Sequence, residues 1–276
     1  MKGFEYYKPS TLKEAVGLLK EHRDTAEILN GGTDLIVRMR DGHSAPGVVV
    51  DIKGIKELHE LSIEEGRVFI GACVLLNDIG LHDVILKRYP YLSQASLSVG
   101  SKQVRNRATC IGNICNASPL ADTATPLLAL DAEIHIYGEK GIKTVPLSDF
   151  FVFVRKTILQ PDEIVTGISF KDDPENLGIF YKMSRRKEVD LSTVCSTVVK
   201  RDGKYGISFG AVAPTPIRLP KTEAYLNENA LSEAVIEQAC KLALEEVSPI
   251  SDVRATKEYR QEMVQVMLRN SLSEWL

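Results

Sequence analysis

The sequence predicts an α+β protein built from two α/β units followed by a C-terminal α+β unit. Three observations carry this. Short strand-like and helix-like runs alternate through the first part of the chain, a polar break (KDDPENLG, 171–178) interrupts them, and beyond it two antiparallel strand candidates precede two amphipathic helices. The 276 residues are 44% hydrophobic and 26% charged, enough apolar material for several compact units.

The elements follow in order. Residues 10–22 (STLKEAVGLLKEH) read as a helix with Ser10 as N-cap and Leu12, Ala15, Val16, Leu18 and Leu19 on one face. Residues 26–29 form a short strand, 34–40 the next helix, and GVVVDI at 47–52 a β-branched strand. The first unit is therefore expected over 1–55. RVFIGA (67–72), LNDIGLHDVILKRY (76–89) and AEIHIYG (132–138) continue the alternation and define a second unit over 56–172. The third, 173–276, holds strand candidates at 181–200 and 204–214 joined by an Asp202-Gly203 turn, then helices at 231–247 and 251–272.

Composition excludes several classes. A net charge of -3 gives no basic excess for nucleic acid, and Arg185, Arg186 and Lys187 read as a solvated strand face. No apolar run approaches a membrane span, and the first residues lack a signal-peptide core, so a cytoplasmic location is expected. The odd number of cysteines suits reduced thiols. The five histidines show no metal-ligand spacing and there is no GxSxG elbow, so neither a metal site nor a catalytic side chain is expected.

Two polar turns hold the chemistry. In ILNGGTDL (28–35), Gly31 and Gly32 permit positive φ and remove Cβ atoms, so successive N–H groups can face one concavity suited to a phosphate. Thr33 can add a hydroxyl, and the helix starting near Asp34 would turn its N-terminus to the same anion. The pattern is neither GxGxxG nor a Walker loop, and a tight turn without a ligand remains the alternative. The stretch 99–134 is poor in large side chains. Thr109, Asn113, Asn116, Ser118 and Asp122 can bond a polyhydroxylated ligand and Gly112 allows close approach, the alternative being a loop closed by its own hydrogen bonds. Together the two turns favour a nucleotide-like ligand held between units.

The ordered motifs NGGTDL (30–35), VGSKQVRNRAT (99–109) with Gly112-Asn113, ASPLAD (117–122), LSDFFVFVRKTILQPDEIV (147–165), YKMSRRKEVDLS (181–192), GAVAPTPIR (210–218) and PISDVRATKEYR (249–260) span nearly the whole sequence. In these the chain resembles the FAD-binding, or medium, subunit of the molybdenum hydroxylases, the xanthine dehydrogenase and carbon monoxide dehydrogenase family. The resemblance implies two subdomains of the vanillyl-alcohol-oxidase type clasping FAD, and a C-terminal domain like that of the carbon monoxide dehydrogenase flavoprotein. It implies that Ile28, Leu29, Asn30, Gly31, Gly32, Thr33, Asp34 and Leu35 wrap the FAD pyrophosphate. Thr109, Cys110, Ile111, Gly112 and Asn113 would form the second flavin loop, Asp122 would hold a sugar or ribityl hydroxyl, Val165 would meet the flavin through its backbone, and Val99 would lie beside it. Lys182 would sit at the isoalloxazine, where a cation raises the reduction potential. The family commonly reads TIGGN where this chain has Thr109-Cys110-Ile111-Gly112-Asn113. Ile111 is thus expected to alter the flavin environment.

The implied function is an FAD-dependent oxidoreductase subunit. It would take electrons from iron-sulfur clusters on one partner, fed by a molybdenum-cofactor subunit, and pass them to NAD or another acceptor. The alternatives are a freestanding FAD oxidoreductase of the same fold and a flavin-free scaffold subunit.

Overall fold

The computed structural model describes all 276 residues. The first part contains β1 (Glu5–Tyr7), α1 (Leu12–His22), β2 (Ala26–Leu29), α2 (Leu35–Arg40) and β3 (Val48–Asp51). Its three strands are parallel in the order β1-β3-β2, and every residue of β3, the central strand, is buried. Helix α1 starts one residue later than the sequence suggests. Thr11, not Ser10, is the N-cap and accepts from the Glu14 N–H, while the Ser10 N–H donates back to the Glu14 carboxylate, a reciprocal box that explains the shift.

The next part opens with the hairpin β4 (Leu61–Glu64) and β5 (Arg67–Gly71). A single long connection then carries α3 (Leu76–Gly80), α4 (Asp83–Arg88), α5 (Pro90–Leu97), α6 (Lys102–Arg105), α7 (Cys110–Cys115) and α8 (Ala124–Ala129). The strands β6 (Glu133–Gly138) and β7 (Gly141–Pro146), a hairpin of β8 (Phe151–Phe153) and β9 (Lys156–Thr157), and β10 (Ile164–Lys171) complete it. The five-stranded sheet, β4-β5-β10-β6-β7, is antiparallel throughout, because its helices fill one connection instead of alternating with strands. Both parts feed one large apolar core.

The chain beyond the polar break forms β11 (Leu177–Met183), β12 (Val194–Arg201), β13 (Lys204–Gly210) and β14 (Ile217–Arg218), then α9 (Pro220–Glu228), α10 (Glu233–Glu245) and α11 (Lys257–Ser273). Asp202 (φ 49°) and Gly203 (φ 73°) make the expected turn between β12 and β13. Alternation along β12 sends Val194 and Val198 toward the C-terminal helices and Cys195 and Val199 into the large core. Two expectations are corrected. Residues 184–193 form a loop, so Arg185, Arg186 and Lys187 are not on a strand, and helix α9, opened by Pro220 at its first turn, was not anticipated.

Candidate functional site

The turn after β2 is a run of backbone donors left without acceptors. No N–H from Gly31 through Leu35 has an acceptor within the chain, and the first bond of the following helix runs from the Ile36 N–H to the Gly32 carbonyl, 3.0 Å. Only Gly32 has positive φ (77°), which corrects the expectation for both glycines. Gly31 is required for another reason: a Cβ there would strike the Arg107 carbonyl oxygen and the Ala108 Cα. The turn is thus pressed against the segment that leads into the second polar loop. Below it, the Asn30 amide donates to the Ala72 carbonyl at 2.7 Å, while its own Oδ1 is buried without a partner. The Ala72 N–H donates to Thr166 O, 2.9 Å, beside the bulge that separates Val165 from Gly167 in β10. Val165 itself is buried in the core.

The second loop is set by a cap. Thr109 Oγ1 accepts the Gly112 N–H at 3.0 Å, and a Cβ on Gly112 would lie 2.9 Å from that oxygen, so glycine is needed for the cap itself. Cys110 and Ile111 point into the core and are almost fully buried. Protein atoms cover the Ile111 side chain, so within this chain it packs as part of the core. Burial pushes the Cys110 and Cys115 thiols up to about 12, which leaves them as small apolar fillers. Asn113 accepts from Thr123 at 2.7 Å. Asn116 donates to Asp34 at 3.0 Å and accepts from Arg155 of the β8–β9 hairpin, tying the glycine turn to the second loop.

A third cluster joins the C-terminal part. Lys182 on β11 donates to Asp122 Oδ2 at 2.7 Å and to Ser98 O at 2.9 Å, and Asp122 also accepts from Ser192 and, at 3.3 Å, from Ser98 Oγ. The side chains are 13% and 6% exposed. Lys182 and Ser98 line one wall of a polar cavity of about 470 Å³, which Arg105, Lys102, Lys187 and Asp190 also border. Val99 does not line that cavity, and its carbonyl accepts from Arg105 at 3.2 Å.

Residues 2–170 match the model of the FAD binding domain in molybdopterin dehydrogenase, and residues 179–275 match the carbon monoxide dehydrogenase flavoprotein C-terminal domain. The chain belongs to this family. It is a medium, FAD-binding subunit of the xanthine dehydrogenase and carbon monoxide dehydrogenase type, and thus part of an oxidoreductase. It is 33% identical to the xanthine dehydrogenase FAD-binding subunit of Escherichia coli O157:H7, over 98% of this chain and 94% of that protein. It is 31% identical to the nicotinate dehydrogenase FAD-subunit of Eubacterium barkeri, covering 96% and 93%. A solved carbon monoxide dehydrogenase of Hydrogenophaga pseudoflava superposes with a TM-score of 0.94 at 29% identity, covering 99% and 96%.

The residues present suit the family's FAD. Backbone donors without acceptors, in a turn where neither Gly31 nor Gly32 has room for a Cβ, suit a diphosphate in a protein with no Walker loop. Sequence reasoning missed Ser192 and Ser98 as partners of Asp122, and Arg155 as the third member of the Asp34–Asn116 link. These meet only through tertiary structure, across 70 positions between Asp122 and Ser192 and 39 between Asn116 and Arg155. No helix is long and apolar enough to cross a membrane.

Proposed function

We propose that the chain is the cytoplasmic FAD-binding electron-transfer subunit of a molybdenum hydroxylase, which receives electrons from an iron-sulfur subunit fed by a molybdenum-cofactor subunit and delivers them to NAD or another acceptor. The row of acceptor-free N–H groups from Gly31 to Leu35, in a turn packed at Gly31 against Arg107 and Ala108, carries the reading. In it, residues 28–35 hold the diphosphate, residues 109–113 close over the same ligand, and Val99 and the Val165 backbone flank the flavin. When bound, FAD supplies the two-electron carrier that no side chain can replace. Lys182 and Asp122 set the charge beside it: together they are neutral, and each fixes the other's orientation. The units are proposed to divide at 55/56 and 172/173.

The test is anaerobic. The purified, FAD-loaded chain is mixed with an N-heterocyclic substrate, with and without the iron-sulfur and molybdenum subunits. Bleaching of flavin absorbance is expected only with both partners. Bleaching of the isolated chain by the substrate would replace this reading with a freestanding oxidoreductase.

A further inference from the structure

Beneath the glycine turn lies a polar network that no cofactor-binding motif includes. Asp51, the last residue of β3, is 4% exposed and closes a tight turn by accepting the Lys53 N–H at 3.0 Å. That turn aims the Lys53 side chain back at the neighbouring strand end. Its ammonium lies 2.7 Å from Asp51 Oδ1 and donates to the carbonyl oxygen of Asn30 at 3.0 Å. The second carboxylate oxygen of Asp51 accepts from the Tyr6 hydroxyl at 2.5 Å. Gly54 continues the turn under Pro9, whose carbonyl oxygen would stand 2.7 Å from a Cβ at that position, so Lys53 has little backbone freedom.

The Asn30 carbonyl belongs to the peptide whose N–H is that of Gly31, the first of the acceptor-free donors. Across one planar peptide the C=O and N–H point in opposite directions. A donor that holds the Asn30 oxygen inward therefore turns the Gly31 N–H outward. The Asn30 side-chain amide, bonded to Ala72, fixes the residue from the other side. Lys53 also screens the Asp51 carboxylate, which would otherwise stand as an uncompensated negative charge under a loop that must accept an anion.

We propose that Lys53, held by Asp51 and Tyr6, is a positioning residue for the FAD cradle, orienting the Asn30–Gly31 peptide and cancelling the one buried negative charge beneath it. This rests on the assignment of the glycine turn to the FAD diphosphate. Lys53 touches no ligand in this scheme and acts through the loop backbone.

The experiment titrates deflavinated full-length chain with FAD, followed by flavin fluorescence, at several salt concentrations. Lys53→Met should weaken binding at least tenfold and flatten its salt dependence, because the anion then meets Asp51 without its counter-charge. Lys53→Arg, which keeps the charge and the donors, should return affinity to within about threefold of wild type, an outcome that loss of packing would not give. Tyr6→Phe alters only the outer, half-exposed end of the network and should weaken FAD two- to threefold, which keeps the test open if Lys53→Met does not fold. Unchanged affinity and salt dependence in Lys53→Met, or in Tyr6→Phe should the former not fold, overturns the proposal. Failure of the wild-type chain to bind FAD overturns instead the cofactor reading on which it rests.

Discussion

Replacing Lys182 by methionine tests how the C-terminal part is joined to the rest of the chain. The ammonium and the Asp122 carboxylate are 2.7 Å apart with side chains 13% and 6% exposed. At an effective dielectric of about 20 the attraction at this separation is roughly 6 kcal/mol, much of it offset by the desolvation of two charges. Removing one partner of such a pair typically costs about 3–5 kcal/mol, because the survivor stays buried and unpaired. Asp122 would keep the hydroxyls of Ser192 and Ser98, so the lower end, about 3 kcal/mol, is expected. Asp122→Asn should cost less, about 1–2 kcal/mol, since its one amide oxygen can still accept from Lys182 while the Ser192 hydroxyl turns to accept from the amide NH2. The double variant should be more stable than the sum of the single losses by at least about 1 kcal/mol. Urea unfolding of the deflavinated chain measures all four proteins. The flavin potential gives a second sign: Lys182→Met leaves a net negative charge and should lower it, whereas Asp122→Asn leaves a net positive one and should raise it. A Lys182→Met protein within about 0.5 kcal/mol of wild type, or potentials that move in the same direction, would refute the reasoning.

Two further outcomes are expected. Gly32→Val places a β-branched residue at φ 77° with its Cβ 2.9 Å from Leu29 Cδ1, and should weaken FAD binding by about ten- to a hundredfold in a fluorescence titration, as overpacking of about 1–3 kcal/mol implies; Gly17→Ala, at a helical position with nothing nearby, should leave it unchanged. At Asp252, burial pushes the carboxyl pKa up, but the N–H groups of Arg254 and Ala255 and the nearly buried Arg260 outweigh it and leave the value below the ordinary 3.8. A depressed folded value means stability that is present above pH 3.8 and lost as pH falls from there through the folded value. Asp252→Asn should accordingly cost about 1–3 kcal/mol near pH 7 by urea unfolding, with its difference from wild type closing only in that acid window.

What the sequence revealed, and what it did not, follows from the range of the interactions. Helix α1 and the Asp202-Gly203 turn were legible because periodicity and positive φ act within a few residues. The glycine turn was legible as one that needs bare backbone, yet the separate duties of its two glycines were not. Gly32 answers to its own φ, while Gly31 answers to the Arg107 carbonyl 76 positions later. The burial of Ile111 was not legible either: the sequence shows only a departure from the family's glycine, and the packing of α7 shows that the side chain turns into the core. Helix α9 escaped because Pro220 and the polar residues after it resemble a loop until the sheet behind them is in place.

The position of Lys182 depends on a contact far from it. Helix α8 ends against the C-terminal sheet, where Arg201 and Arg218 each donate at 2.7 Å to a carbonyl of its last turn, Leu130 and Leu128, and both reach Asp131 just beyond. Cations at a helix C-terminus satisfy orphan carbonyls and complement the local dipole. Thr125, one turn earlier, bonds Thr197 at 2.9 Å and its carbonyl accepts from Ser208 at 2.6 Å. A Cβ on Gly206 would strike the Ala129 carbonyl, so the sheet and helix meet backbone to backbone. Asp122 sits two residues before this helix, and Lys182 sits on the strand beside β12. The same rigid junction therefore carries both halves of the ion pair. That is how a side chain on the C-terminal sheet comes to stand beside Asp122, in the long helical connection of the five-stranded sheet.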